Sequence, residues 1–310
     1  MSLPPSGWPQ RAHSRAVQAA GLDWHVQVAG QGPTLLLLHG SGASTHSWAG
    51  LLPLLAPHAT VVVPDLPGHG FTTGARVSGL TLPRGREALA ALLRALGLPA
   101  PTWVVGHSAG AALALRWALD APLPPQAVLG LNPSLVAPPA LYLRWAAPFV
   151  NPVATSGPVT RLLARVAGPA GFVDRLLDST GSAVPDEQRT RYRELFANPA
   201  HVRGAMGFMA AADLPGLLPA CAALPCAAAF VIGERDRWVP QGPLRAVLSR
   251  HLPHAEVQAW PGGHLLHEAQ PAAAADWVRG HMRQPRDRHR AETSAPTSSP
   301  PNKPQSTTAP

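Results

Sequence analysis

The segment Val104-Val105-Gly106-His107-Ser108-Ala109-Gly110 constrains this chain more than any other. An apolar run of strand character stops at the first glycine of a G-x-S-x-G motif, and an Ala/Leu segment of helical character starts directly behind it. A strand that turns into a helix over so few residues leaves Ser108 on a tight, strained turn with its hydroxyl pointing out of the sheet edge. Without a Cβ at Gly106 and Gly110, the turn packs closely against the neighbouring strand and helix. G-x-S-x-G arises by chance in glycine-rich chains. Here the flanking strand and helix, together with partner motifs further down the chain, favour a nucleophile elbow.

The rest of the chain repeats the alternation of strand and helix. Strands are expected at Leu22 to Val28, Leu35 to Leu38, Val61 to Val63, Ala127 to Leu131, Ala227 to Ile232 and Ala255 to Trp260. The run of four leucines is the mark of a strand covered on both faces. Helices are expected at His46 to Ala56 and Thr81 to Leu96, the second with Leu89, Leu92, Leu93 and Leu96 at helical spacing and a stop at Gly97. Strands separated by helices imply right-handed crossovers and a mostly parallel α/β sheet flanked by helices.

Between Ser134 and Leu224 no strand-like run occurs, and so long an interval is not a loop. Residues 134–224 read as an inserted helical cap, with pieces near Ala140 to Phe149, Val159 to Val166, Phe172 to Leu177, Asp186 to Phe196 and Pro199 to Ala212. The α/β core is then 22–133 plus 225–283, preceded by a surface arm (1–21) and followed by a Pro/Ser/Thr/Arg-rich tail (284–310) read as disordered. From the cap's apolar side chains, Trp145, Phe208 and Met209 are the candidates to wall an apolar pocket above Ser108, and His107 is a further wall candidate beside the nucleophile.

A serine hydroxyl needs a base to accept its proton and a third group to orient that base. His264, in Pro261-Gly262-Gly263-His264 after the last strand, is the expected base in preference to His267. Asp236, in Gly233-Glu234-Arg235-Asp236 after the preceding strand, is the expected orienting carboxylate in preference to Glu234 and Glu268. The backbone N–H groups of Ser41, in His39-Gly40-Ser41-Gly42, and of Ala109 are the expected oxyanion donors. Asn132 carries no charge to stabilise an imidazolium, and His39 and Asp65 read as loop pins. His264 and His267 have no third metal-ligand motif beside them, so no metal or cofactor is expected.

Composition narrows the setting. Net charge is +8, yet the basic residues are spread along the chain and almost all are arginine, with no basic stripe interleaved with aromatics. Nucleic acid is therefore not an expected partner, and weak contact with an acidic membrane surface is the most that this charge implies. No apolar run reaches the roughly 18 residues of a bilayer span, and Met1 to Gly21 lacks the apolar centre of a signal peptide. With Cys221 and Cys226 as the two cysteines, a cytoplasmic location is expected.

HGSG, DLPGHG, GHSAG, GERD and GGH in this order resemble the α/β-hydrolase superfamily, whose Ser-His-Asp triad and frequent helical cap fall on Ser108, His264, Asp236 and the insertion. More narrowly, His39 to Trp48 (HGSGASTHSW), Asp65 to Thr72 (DLPGHGFT) and Leu195 to Leu214 resemble the magnesium-chelatase accessory hydrolases of bacteriochlorophyll biosynthesis. That resemblance implies a role in photosynthetic pigment synthesis near magnesium insertion, with a tetrapyrrole among the candidate substrates and chelatase subunits among the candidate partners; the triad and the apolar cap imply hydrolysis of a bulky apolar ester or related acyl bond. A non-catalytic tetrapyrrole- or chelatase-binding accessory protein and a generic carboxylesterase are the alternatives. Serine at the elbow separates the chain from haloalkane dehalogenases and epoxide hydrolases, which carry aspartate there.

Overall fold

The computed structural model describes residues 3–137, 151, 153–167 and 171–283. Eight strands form one sheet in the order β1-β2-β4-β3-β5-β6-β7-β8. They are β1 (Ser14–Ala19), β2 (Leu22–Ala29), β3 (Thr34–Leu38), β4 (Thr60–Pro64), β5 (Trp103–His107), β6 (Ala127–Leu131), β7 (Ala227–Gly233) and β8 (Glu256–Trp260). The β1–β2 and β2–β4 pairs are antiparallel, and every pair from β4 to β8 is parallel.

The four leucines of β3 show how the sequence sets the layers. Leu36 and Leu38 join Val104, Val128 and the helices α2 (Leu82–Ala95) and α3 (Ala109–Asp120) in one buried cluster. Leu35 and Leu37 point the other way, joining Val105, Leu129, Trp48, Trp277 and Val278. Side chains alternate across a strand, so a run buried on both sides has to be apolar throughout. Cys221 and Cys226 are free thiols in the first of these cores, where burial pushes them up to about 11 and about 12.

Two expectations differ from the structure. The first 21 residues, read as an arm, contain β1, an edge strand that turns at Ala20 and Gly21 and pairs along β2. Its half-exposed residues leave no apolar alternation to read. The single helix expected over His46 to Ala56 is instead a 3-10 turn (Thr45–Trp48) and a short helix α1 (Leu52–Leu55). Gly50 and Pro53 lie between and within them, and Pro53 has no N–H to continue a helical ladder.

Between β6 and β7 the described residues are helical: α4 (Gly157–Ala167), α5 (Phe172–Ser179), α6 (Asp186–Phe196), α7 (Pro199–Ala211) and α8 (Leu214–Ala220). The expected piece at 140–149 and the tail at 284–310 lie outside the described residues. Helix α7 sits on the core at one close approach: a Cβ on Gly204 would collide with the Gly68 carbonyl. Three further helices, α9 (Gln241–His251), α10 (Leu266–Ala269) and α11 (Pro271–Met282), complete the chain to residue 283. No single helix among the described residues is long and apolar enough to cross a membrane.

Candidate active site

Strand β5 ends in the elbow. Ser108 has φ 51 and ψ −120, a backbone state that non-glycine residues rarely hold. Three hydrogen bonds fix it there: Ser108 N–H donates to Leu131 O (3.1 Å), and Ser108 O accepts from Ala111 N–H (3.1 Å) and Ser134 N–H (3.0 Å). The flanking glycines are required, since a Cβ on Gly106 would lie 2.5 Å from the Ala111 backbone and one on Gly110 would strike Leu38 O.

Two loops at the same end of the sheet converge on this serine. Ser108 Oγ is 2.9 Å from His264 Nε2, and His264 Nδ1–H donates to Asp236 Oδ2 at 2.7 Å. The His264 and Asp236 side chains are buried. Asp236 Oδ1 accepts from the Trp238 and Val239 N–H groups (2.8 and 2.9 Å), which hold the carboxylate in place. The His264 loop is held from four sides. His264 N–H donates to Thr180 O (2.9 Å), and His264 O accepts from Asn132 Nδ2 (2.8 Å) and His107 Nε2 (2.9 Å). The Trp238 ring lies 5.3 Å from the imidazole. Asn132 thus positions the loop that carries the imidazole; its place directly after β6, at the functional end of the sheet, was the available signal.

Beside the elbow, the HGSG loop bears Ser41 and Gly42, the latter at φ +79. Ser41 Oγ donates to Ala205 O (2.7 Å) and His201 Nε2 donates to Gly42 O (3.1 Å), so α7 clamps this loop. Among the described residues, no acceptor takes the N–H of Ser41 or Ala109. Ala109 is the first residue of α3, where unpaired N–H groups carry partial positive charge. His39 and Asp65 brace the surrounding turns. His39 Nε2 accepts from Leu66 N–H (2.9 Å), while Asp65 accepts from His25 Nδ1 (2.7 Å), Thr45 N–H (2.7 Å) and Phe71 N–H (2.8 Å). Burial alone would raise Asp65; His25 and these donors outweigh it and bring the carboxyl down to about 2.

The cavity over Ser108 has a volume of about 30 Å³ and is lined by Ser41 and His107 together with Leu176, Leu177, Tyr192, Phe196 and Trp238. Ligand pockets are usually about 300 Å³ or more, so the described residues leave little room over Ser108. Of the four wall candidates, His107 lines the cavity. Phe208 is packed in the main core against His69, and Met209 is 62% exposed. Both lie on α7, whose rotation is set by the Gly204–Gly68 contact. That contact turns the 201–205–208 face onto the core and Met209 outward. Trp145 lies outside the described residues. The walls instead come from α5, α6 and the Asp236 loop.

Behind the cavity lies a buried polar cluster that the sequence reading left unused. Glu268 Oε1 accepts from Tyr192 Oη (2.6 Å) and Ser47 Oγ (2.8 Å), and Ser47 Oγ accepts from His267 Nε2 (2.7 Å). Burial pushes Glu268 up to about 7 and His267 down to about 3. Among the described residues, no group of three or more His, Cys, Asp or Glu side chains is arranged to hold a metal ion.

The chain matches known proteins along most of its length. It is 35% identical over 287 residues to the Magnesium-chelatase 30 kDa subunit of Rhodobacter capsulatus, covering 89% of this chain and 98% of the relative. It is 32% identical over 252 residues to the Pimeloyl-[acyl-carrier protein] methyl ester esterase of Xanthomonas campestris pv. campestris (strain B100), covering 77% and 90%. The solved structure of a thermophilic esterase from Thermogutta terrifontis superposes with a TM-score of 0.67 at 21% identity, over 87% of this chain and 98% of that one, a likeness of fold. The profile of the Alpha/beta hydrolase family matches residues 35–277, a span that runs from β3 through the elbow and past His264. With that span, this sheet order and full-length relatives, the chain belongs to the alpha/beta hydrolase family.

Proposed function

We propose that the protein is a serine hydrolase that cleaves an apolar carboxylic ester through an acyl-enzyme on Ser108. The observation that carries this reading is His264, placed 2.9 Å from Ser108 Oγ on one ring nitrogen and 2.7 Å from Asp236 on the other. Ser108 Oγ attacks the ester carbonyl carbon while its proton passes to His264 Nε2. Asp236 keeps Nδ1 protonated and stabilises the imidazolium. The oxyanion accepts from the N–H groups of Ser41 and Ala109. Collapse breaks the bond to the alkoxide, which leaves as an alcohol with the proton from His264. A water then gives one proton to His264 and its hydroxide to the acyl carbon; the bond from that carbon to Ser108 Oγ breaks, Oγ takes the proton back from His264, and the acid is released.

The helical insertion acts as the cap of this site. A cavity of about 30 Å³ does not hold a macrocycle, so a bulky substrate reaches Ser108 by presenting a slender ester arm or by displacing α5 and α6. The test is labelling of the purified protein by a fluorophosphonate. Wild type should label and hydrolyse activated esters, and Ser108→Ala should do neither. A wild-type protein that neither labels nor turns over any activated ester would overturn the proposal.

A second reading is favoured by the relative named as a magnesium-chelatase subunit, which this chain matches over 98% of its length. On that reading the protein serves bacteriochlorophyll synthesis by binding a tetrapyrrole or the chelatase, and Ser108 is dispensable. Complementation decides it. If Ser108→Ala restores pigment in a deletion strain as well as wild type does, binding is the function; if it fails, hydrolysis is. A generic carboxylesterase predicts no pigment defect in the deletion strain.

A further inference from the structure

The arginines of the helical insertion are in two different conditions. On α6 they are matched: Arg189 pairs with Asp178 (2.6 Å), Arg193 with Asp174 (2.8 Å) and Arg191 with Glu194 (2.9 Å). On α4 and α7, Arg161, Arg165 and Arg203 have no carboxylate partner among the described residues. The cause is in the sequence, because neither Ala121 to Val173 nor Leu195 to Ala212 contains an Asp or Glu. The same part of the fold also carries Val153, Leu162 and Met209, 62%, 60% and 62% exposed. Helices α4 and α7 pack together, with the Arg203 guanidinium over Gly157 beside that of Arg161. Along α4, Thr160 and Ala164 are buried while Arg161, Leu162 and Arg165 face out.

A face that had only to stay in water would alternate charges of both signs, as α6 does. This one combines unpaired guanidinium groups with exposed aliphatic side chains and excludes carboxylates. We propose that the α4/α7 face docks on the surface of an anionic lipid bilayer. Guanidinium groups bind phosphate oxygens in a bidentate fork while their aliphatic stems lie along apolar surface. Leu162, Val153 and Met209 enter the boundary between headgroups and acyl chains. The next helix, α5, walls the cavity with Val173, Leu176 and Leu177. An apolar ester dissolved in the bilayer would therefore meet the pocket without crossing water; that last step rests on the ester-hydrolase reading, whereas docking does not.

Full-length protein sedimented with vesicles tests the proposal. It should partition onto phosphatidylcholine mixed with phosphatidylglycerol, and not onto phosphatidylcholine alone, with binding weakened by salt. At about fivefold per arginine near a charged surface, the pair Arg161→Gln and Arg165→Gln should lower partition roughly 25-fold. Leu162→Ser should lower it further, and Leu123→Ser, in an exposed loop at the opposite end of the sheet, should leave it unchanged. All variants should melt with wild type and hydrolyse a water-soluble ester at the wild-type rate. Failure of wild type to bind the anionic vesicles would overturn the proposal, as would binding indifferent to the two α4 arginines or lost equally in Leu123→Ser. Absence of Ser108 labelling would instead sink the hydrolase reading and leave the vesicle result standing.

Discussion

At the scale of single residues, Asp236 and Glu268 show how environment assigns different tasks to two buried carboxylates. Asp236 accepts from His264 and from two backbone N–H groups, which fix its carboxylate against the imidazole. Replacing it with Asn would turn His264 towards the wrong tautomer while preserving shape. Asp236→Asn should lower kcat on an activated ester by about 10³- to 10⁴-fold with little change in melting temperature. A loss under tenfold would remove Asp236 from the mechanism. Glu268 is buried away from water, and this outweighs the hydrogen bonds from Tyr192 and Ser47 and pushes it up to about 7, above its value near 4.5 in the unfolded chain. Between those two values the folded chain holds a proton that the unfolded chain releases, so ionising Glu268 costs stability as pH rises towards 7. Glu268→Gln keeps an acceptor for Tyr192 and Ser47 and never ionises. Its melting temperature relative to wild type should climb between pH 5 and 8; a difference flat with pH would show that Glu268 is charged throughout.

At the scale of elements, placement depends on a few close approaches that sequence periodicity does not report. The buried strands were legible because β3 to β7 are covered on both faces, which forces near-continuous apolar runs such as Leu35 to Leu38 and Ala127 to Leu131. Strand β1 was not, because an edge strand with half-exposed residues carries no such pattern. The convergence of Ser108, His264 and Asp236 at one end of the sheet was legible because each follows a strand in a recognisable turn. The cavity walls were not: which side of a helix faces Ser108 is set by contacts far apart in sequence, and for α7 by Gly204 against Gly68. Gly204→Ala should therefore cost about 2 kcal/mol of stability. Because Ser41 Oγ bonds Ala205 O, it should also loosen the Ser41 loop and, on the proposed mechanism, lower kcat more than it raises KM. Gly280→Ala in α11, where an added Cβ meets nothing within 4 Å, should instead stabilise by about 0.5 to 1 kcal/mol. Urea unfolding of the two variants checks this, and equal effects would remove the packing argument for α7.

At the scale of the whole molecule, the described interior is unusually rich in imidazole. His39, His46, His69, His107, His201 and His267 are buried around the active end of the sheet, and burial pushes all six below the usual imidazole range. His46 and His267 come down to about 3 and His201 to about 4. At pH 5 these three are neutral in the folded chain and protonated in the unfolded one, so unfolding takes up roughly three protons from them alone. Glu268 acts in the opposite direction and returns roughly one. The histidines outnumber it, which fixes the sign: stability should rise with pH from about 4 to about 6.5 and level off above, where the unfolded imidazoles lose their protons too. Asp65, held down to about 2, adds a further loss only below its ordinary range near 3.8. Urea unfolding at steps between pH 4.5 and 8 should therefore give a free energy that falls on acidification by about 1.4 kcal/mol per pH unit for each net proton bound. The steepest fall should lie below pH 6. A free energy flat with pH over this range would mean that these imidazoles titrate in place in the folded chain, and that water reaches the core beneath Ser108.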